Sequence, residues 1–74
     1  MKLLEWRVPG MITALDLAAV RTAVDQIHGV ALIAANLATH QITIEYDPDN
    51  ATPAEVAAYL ATSGYPVEKA AAEF

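Results

Sequence analysis

The stretch Gly10-Met11-Ile12-Thr13-Ala14-Leu15-Asp16 gathers more chemically able groups than any other part of this chain. A thioether at Met11 and a carboxylate at Asp16 could contribute to a mixed, low-affinity metal site. Thr13 and Asp16 are also three residues apart, the spacing of a reciprocal helix cap in which a hydroxyl and a carboxylate satisfy each other's backbone amides. His28 and His40, with Asp25 close to the first, could hold zinc or nickel if the fold brought them together. Each is one element's length from the 10–16 stretch, and both are expected at the far end of the sheet from it. The acidic turn Asp47-Pro48-Asp49-Asn50 lacks the further ligands and the late glutamate of a calcium loop, so turn chemistry accounts for it. Ser63 is the lone serine, with no histidine beside it in sequence. Gly10, Gly29 and Gly64 stand singly at element boundaries and form no phosphate loop. No acid–base pair can be named, so the chain is read as non-catalytic and without a cofactor.

Composition narrows the choice further. The 74 residues include no cysteine, which excludes both disulfides and thiolate metal sites. Nine acidic and four basic residues leave a net charge of −5, a field that repels nucleic acid and anionic lipid. No apolar run approaches the roughly 18 residues of a membrane span, and no signal-peptide order is present. A cytoplasmic location is expected, either as a free domain or as a soluble domain of a membrane protein.

The elements that must position these groups follow from periodicity. Residues 2–8 alternate, with Leu4, Trp6 and Val8 on one face and Leu3, Glu5 and Arg7 on the other, and Pro9-Gly10 ends the strand. Residues 14–27 carry a helical stripe of Leu17, Val20, Val24 and Ile27. Gly29 suits the left-handed position after that helix. An apolar strand is expected over 30–37, a connection over 38–41, and a second alternating strand over 42–46, with Ile42, Ile44 and Tyr46 facing inward. Thr52-Pro53-Ala54-Glu55 reads as a capped helix start, with Glu55 closing a capping box. That helix spans 53–62, its buried stripe is Val56, Tyr59 and Leu60, and Ser63-Gly64 stops it. A last strand over 65–69 and a frayed AAAEF tail complete the chain. Strand, helix, strand, strand, helix, strand in one 1–74 domain predicts an α+β ferredoxin-like sandwich, with a four-stranded antiparallel sheet and two helices on one face.

The ordered set of VPGM at Val8–Met11, the helix end His28-Gly29-Val30, ITIEYDP at Ile42–Pro48, the TPAE helix start and Gly64-Tyr65 resembles the heavy-metal-associated domain family. That family includes small copper chaperones and the amino-terminal domains of heavy-metal ATPases, and the resemblance covers nearly the whole chain. It implies a soft-metal loop of the form GM-x-C-x-x-C, whose two cysteine positions fall here on Thr13 and Asp16. Both thiolates are therefore missing, and copper(I), cadmium and mercury lose the ligands they prefer. The resemblance also implies a structural role for Met11 inside the loop, beside Gly10. It implies a Tyr65 ring over the loop end, with its hydroxyl offered to water or a partner.

No metal site is expected; Met11, Asp16, His28 and His40 are the weak candidates. An interaction or regulatory role follows, with another protein, another domain or a second copy as partner. Its surface is expected on the open sheet face, where Leu3 and Leu32 lie exposed beside Thr43 and Glu45. The alternative is metal handling through ligands other than cysteine or supplied by a partner.

Overall fold

A computed structural model describes residues 1–69 of the chain; the AAAEF tail lies outside the described residues. The elements run β1 (Lys2–Arg7), α1 (Ala14–Asp25), β2 (Val30–Asn36), β3 (Gln41–Tyr46), α2 (Pro53–Thr62) and β4 (Glu68–Lys69). β1, β2 and β3 form a three-stranded antiparallel sheet with β3 between the other two. On the outer side of β1, the expected 65–69 strand is reduced to a two-residue pairing, Trp6 with Lys69 and Arg7 with Glu68. Tyr65 and Val67 instead pack against the core ahead of that pairing.

Alternation sorts the sheet into two faces. Leu4 and Trp6 of β1, Val8 just after it, and Ile42, Ile44 and Tyr46 of β3 are buried, and Val20, Val24, Val56 and Leu60 descend on them from the helices. Each such side chain stabilises the fold by about 1.5–3 kcal/mol of transfer free energy. Ala23 of α1 joins the buried set. Leu17 and Ile27 are only partly buried, at the two ends of the stripe. Tyr59, expected inside, is 38% exposed. Its position carries it past the core edge, and its hydroxyl donates to Gln26 Oε1 across the helix pair.

Two local features shape β2 and its ends. Gly29 has φ +80°, and a Cβ there would lie 2.8 Å from Asn50 Cβ, so only glycine fits both the conformation and the space. The β2–β3 ladder shifts register between Leu32 and Ala34, leaving Ile33 as an extra residue. Ahead of the shift, Leu32 lies on the core face opposite Ile44 and packs against the core. This corrects the expectation of an exposed Leu32; Ile33 is the exposed residue, at 53%. The first six residues of β2, Val30 to Ala35, are all apolar and mark neither face, so the phase is not readable from them.

Candidate functional site

Val8 follows β1 and Pro9-Gly10 turns the chain, with Met11 N–H donating to Val8 O at 3.0 Å. Met11 is fully buried, its thioether absorbed into the core and withdrawn from any ligand at the surface. Helix α1 then begins with Thr13 as N-cap in extended conformation. Thr13 Oγ1 accepts from Asp16 N–H at 3.2 Å, and Asp16 Oδ2 accepts from Thr13 N–H at 3.0 Å, so the reciprocal box is complete.

The Asp16 carboxylate does more than close the box. Oδ2 also accepts from Ile12 N–H at 3.1 Å and from Thr13 Oγ1–H at 3.1 Å. Oδ1 accepts from the Tyr65 hydroxyl at 2.8 Å. The sequence reading left that hydroxyl to water or a partner, and the structure corrects it. Tyr65 leaves α2 through Gly64, at φ +93°, and its ring lies against Gly10, where an added Cβ would come within 3.7 Å of Cδ1. It therefore spans from the second half of the chain to the first helix start.

The electrostatics agree with the geometry. The Thr13 backbone N–H, the Tyr65 hydroxyl and the Ile12 backbone N–H together hold the Asp16 carboxyl down to about 2, against an ordinary value of 3.8. The same hydrogen bond raises the Tyr65 hydroxyl, since ionising it would set two anions against each other. Asp16 is thus an anion whose lone pairs already face donors.

His40 belongs to this end of the molecule, contrary to the expectation that placed it far away. Its carbonyl accepts from Val8 N–H at 2.7 Å, and its Nδ1 lies 2.9 Å from Met11 O, a geometry that makes Nδ1–H the donor. Chain direction explains the correction. β1 runs towards the loop, α1 away and β2 back again, so the β2–β3 turn returns to where β1 ended. His40 sits at φ 59°, a left-handed position that costs a non-glycine residue about 1 kcal/mol. Its two hydrogen bonds to the first loop offset that cost.

His28 lies at the opposite end, beside Gly29, whose carbonyl accepts from Asp47 N–H at 2.8 Å. The two histidines are not brought together. In the acidic turn, Asp47 Oδ1 accepts from Asp49 N–H at 3.0 Å and Oδ2 from Asn50 Nδ2 at 2.7 Å, which is side-chain capping of a turn. Among the described residues no group of three or more histidine or carboxylate side chains is placed to hold a metal ion. On the open sheet face, Leu3 is 43% exposed and pairs across from Glu45, with Glu5 across from Thr43.

The donor set at 10–16 does not fit a soft metal. It offers a hydroxyl and a carboxylate, both engaged in capping, and a buried thioether.

No family model matches the sequence, and no curated protein sequence does. Solved structures do match in fold. A copper-binding domain of HMA7, a P-type ATPase, superposes with a TM-score of 0.88 at 23% identity over 100% of both chains. Oxidized MerP from Ralstonia metallidurans CH34 gives 0.84 at 22% identity, covering 92% of this chain and 94% of that one. The N-terminal domain of ZntA in its Zn(II) form gives 0.79 at 29% identity, covering 99% and 97%.

Proposed function

We propose that this chain, which has the heavy-metal-associated fold in a form without cysteine, is a non-catalytic interaction or regulatory module of metal transport. In it, a hydrogen-bonded helix cap replaces the soft-metal site. The reading includes a single 1–74 domain, a fourth edge strand on β1 and a cytoplasmic setting, free or attached to a metal transporter. No helix among the described residues is long and apolar enough to cross a membrane.

One observation carries the reading. At the position that the family resemblance gives to the second cysteine, Asp16 accepts hydrogen bonds from Ile12, Thr13 and Tyr65. At the position of the first, the Thr13 hydroxyl is occupied as both donor and acceptor with Asp16. Four donors directed at one carboxylate do for this loop what an ion would do, and leave no lone pair in need of one.

The alternative, metal handling through non-cysteine or partner ligands, draws on the likeness to metal-binding domains, including the Zn(II)-form domain at 29% identity. Titration with copper(I), zinc and nickel, followed by backbone amide shifts, separates the two. The wild-type chain is expected to show no saturable shift over residues 10–16. The double variant T13C/D16C, which restores two thiolates to the same backbone, is expected to bind copper(I). Specific wild-type shifts at Thr13–Asp16 with micromolar or tighter affinity would establish the alternative.

A further inference from the structure

The helices pack on one face of the sheet, and register sets what the other face presents. Leu3 lies opposite Glu45, and Glu45 opposite Ala31. Glu5 lies opposite Thr43, and Thr43 opposite Ala34. The two glutamates are therefore diagonal neighbours, about 7 Å apart across the ladder. Both are half-buried, and neither has a basic residue opposite it. Arg7, at the end of the same face, stands opposite Gln41 and Glu68. Two other carboxylates are held from within, Asp16 by its cap donors and Asp47 by Asp49 and Asn50. Glu5 and Glu45 thus form a like-charged pair with no cation across the ladder from either.

The surface around the pair is low and partly apolar. Leu3 is exposed beside Glu45, and Ala31 and Ala34 add little bulk. A shallow hollow of about 300 Å³ lies between Glu5, Ala34, Gln41 and Thr43. A long basic side chain can rest its stem on such a floor and bring its charged head to a carboxylate.

Charge decides what can cover this face. Nucleic acid and anionic lipid are repelled by the net −5. A second copy brings the same net charge, and a two-fold contact of the two faces would set the same glutamates against each other. A basic protein segment gains at both glutamates. Arginine suits them best, because its planar fork matches a carboxylate. On an extended segment, side chains at alternate positions point the same way and stand about 7 Å apart, the spacing of the two glutamates.

We infer that the open sheet face binds an extended basic segment of a partner protein, with two arginines at alternate positions seated on Glu5 and Glu45. This deepens the interaction reading above and rests on it.

The probe is a short peptide, blocked at both ends, with Arg-Thr-Arg at its centre. It is titrated into the isotope-labelled chain in EDTA at low salt, and amide shifts are followed. Saturable shifts are expected at Leu3–Glu5 and Thr43–Glu45, fading as salt is raised. Glu45→Lys should weaken binding at least about tenfold, with an unchanged far-UV circular dichroism spectrum. Glu5→Gln and Glu45→Gln, which keep the side-chain shape, should each weaken it about threefold and serve should the lysine disturb the sheet. Asp49→Asn, in the acidic turn, should leave it unchanged. A peptide with the two arginines adjacent, and so on opposite sides of an extended chain, should bind more weakly than the alternating one. No saturable shift up to about 5 mM peptide would overturn the inference. So would shifts centred on Asp47–Asn50, or binding that no glutamate variant weakens. The cap reading fails separately: a tight copper(I) site in the wild-type chain sinks it whatever the peptide does, and a metal-free chain that ignores the peptide leaves it standing.

Discussion

The two helix starts carry the same sequence device and end differently. Thr13-x-x-Asp16 opens α1 and Thr52-x-x-Glu55 opens α2, and in both the threonine hydroxyl accepts from the third helical amide at 3.2 Å. The return bond forms only at α1, whose carboxylate also reaches Ile12 and Tyr65. At α2 the expected box is half made, with Pro53 at the first turn and the cap left as a single bond. The Asp16 carboxylate lies over the amides it serves, while the Glu55 side chain is exposed. The α2 cap is a local device. The α1 cap also ties the second half of the chain to the first through Tyr65, at the place where the resemblance expects a metal to do the tying.

Breaking the stronger cap should have the larger consequence. Asp16→Ala removes every acceptor for Ile12, Thr13 and Tyr65 together, and is expected to lower the Tm more than any other single change at either helix start. Thermal unfolding of the full set of variants checks the order. Thr13→Ala and Thr52→Ala each remove one cap and should cost about 1 kcal/mol, with Thr13 the costlier because Asp16 then loses a donor as well. Glu55→Ala, which breaks no cap bond, should change stability by no more than about 0.5 kcal/mol.

The comparison also has a pH signature. The folded Asp16 carboxyl lies near 2 against an ordinary 3.8, so between those values the unfolded chain binds more protons than the folded one. Stability from this group is therefore full above about pH 4 and is lost as the pH falls towards 2. Urea unfolding across that range should show a steeper acid loss for wild type than for Asp16→Asn. Tyr65→Phe should produce a smaller change of the same kind, seen by carboxyl carbon NMR as an Asp16 midpoint moved up towards its ordinary value. An unmoved midpoint would show that the Tyr65 bond contributes nothing in solution.

Much of this was legible from residue order. The strict alternation of Ile42, Ile44 and Tyr46 placed β3 and its inner face, and the Thr-Pro-Ala-Glu start placed α2 to the residue. The Thr13–Asp16 spacing suggested the cap, but not the reach of Asp16 to Tyr65, 49 positions away, which only the folded chain brings close. His40 was misplaced although the information existed: counting reversals of chain direction returns the β2–β3 turn to the first loop. The phase of β2 was not recoverable, because Val-Ala-Leu-Ile-Ala-Ala offers no polar residue to show where Ile33 leaves the ladder. The short fourth strand was hidden for a related reason, since Tyr65 and Val67 are apolar enough to read as strand while packing on the core ahead of it.

Amide hydrogen exchange at Ile12, Thr13 and Asp16 is the most direct test of a loop held by its own carboxylate. In wild-type protein freed of metal by a chelator, these three amides should exchange slowly, and Asp16→Ala should release Ile12 and Thr13, whose acceptor is the Asp16 carboxylate, while the β3 amides stay protected. Free exchange at all three in the metal-free protein, with protection appearing only when copper(I) or zinc is added, would contradict the account.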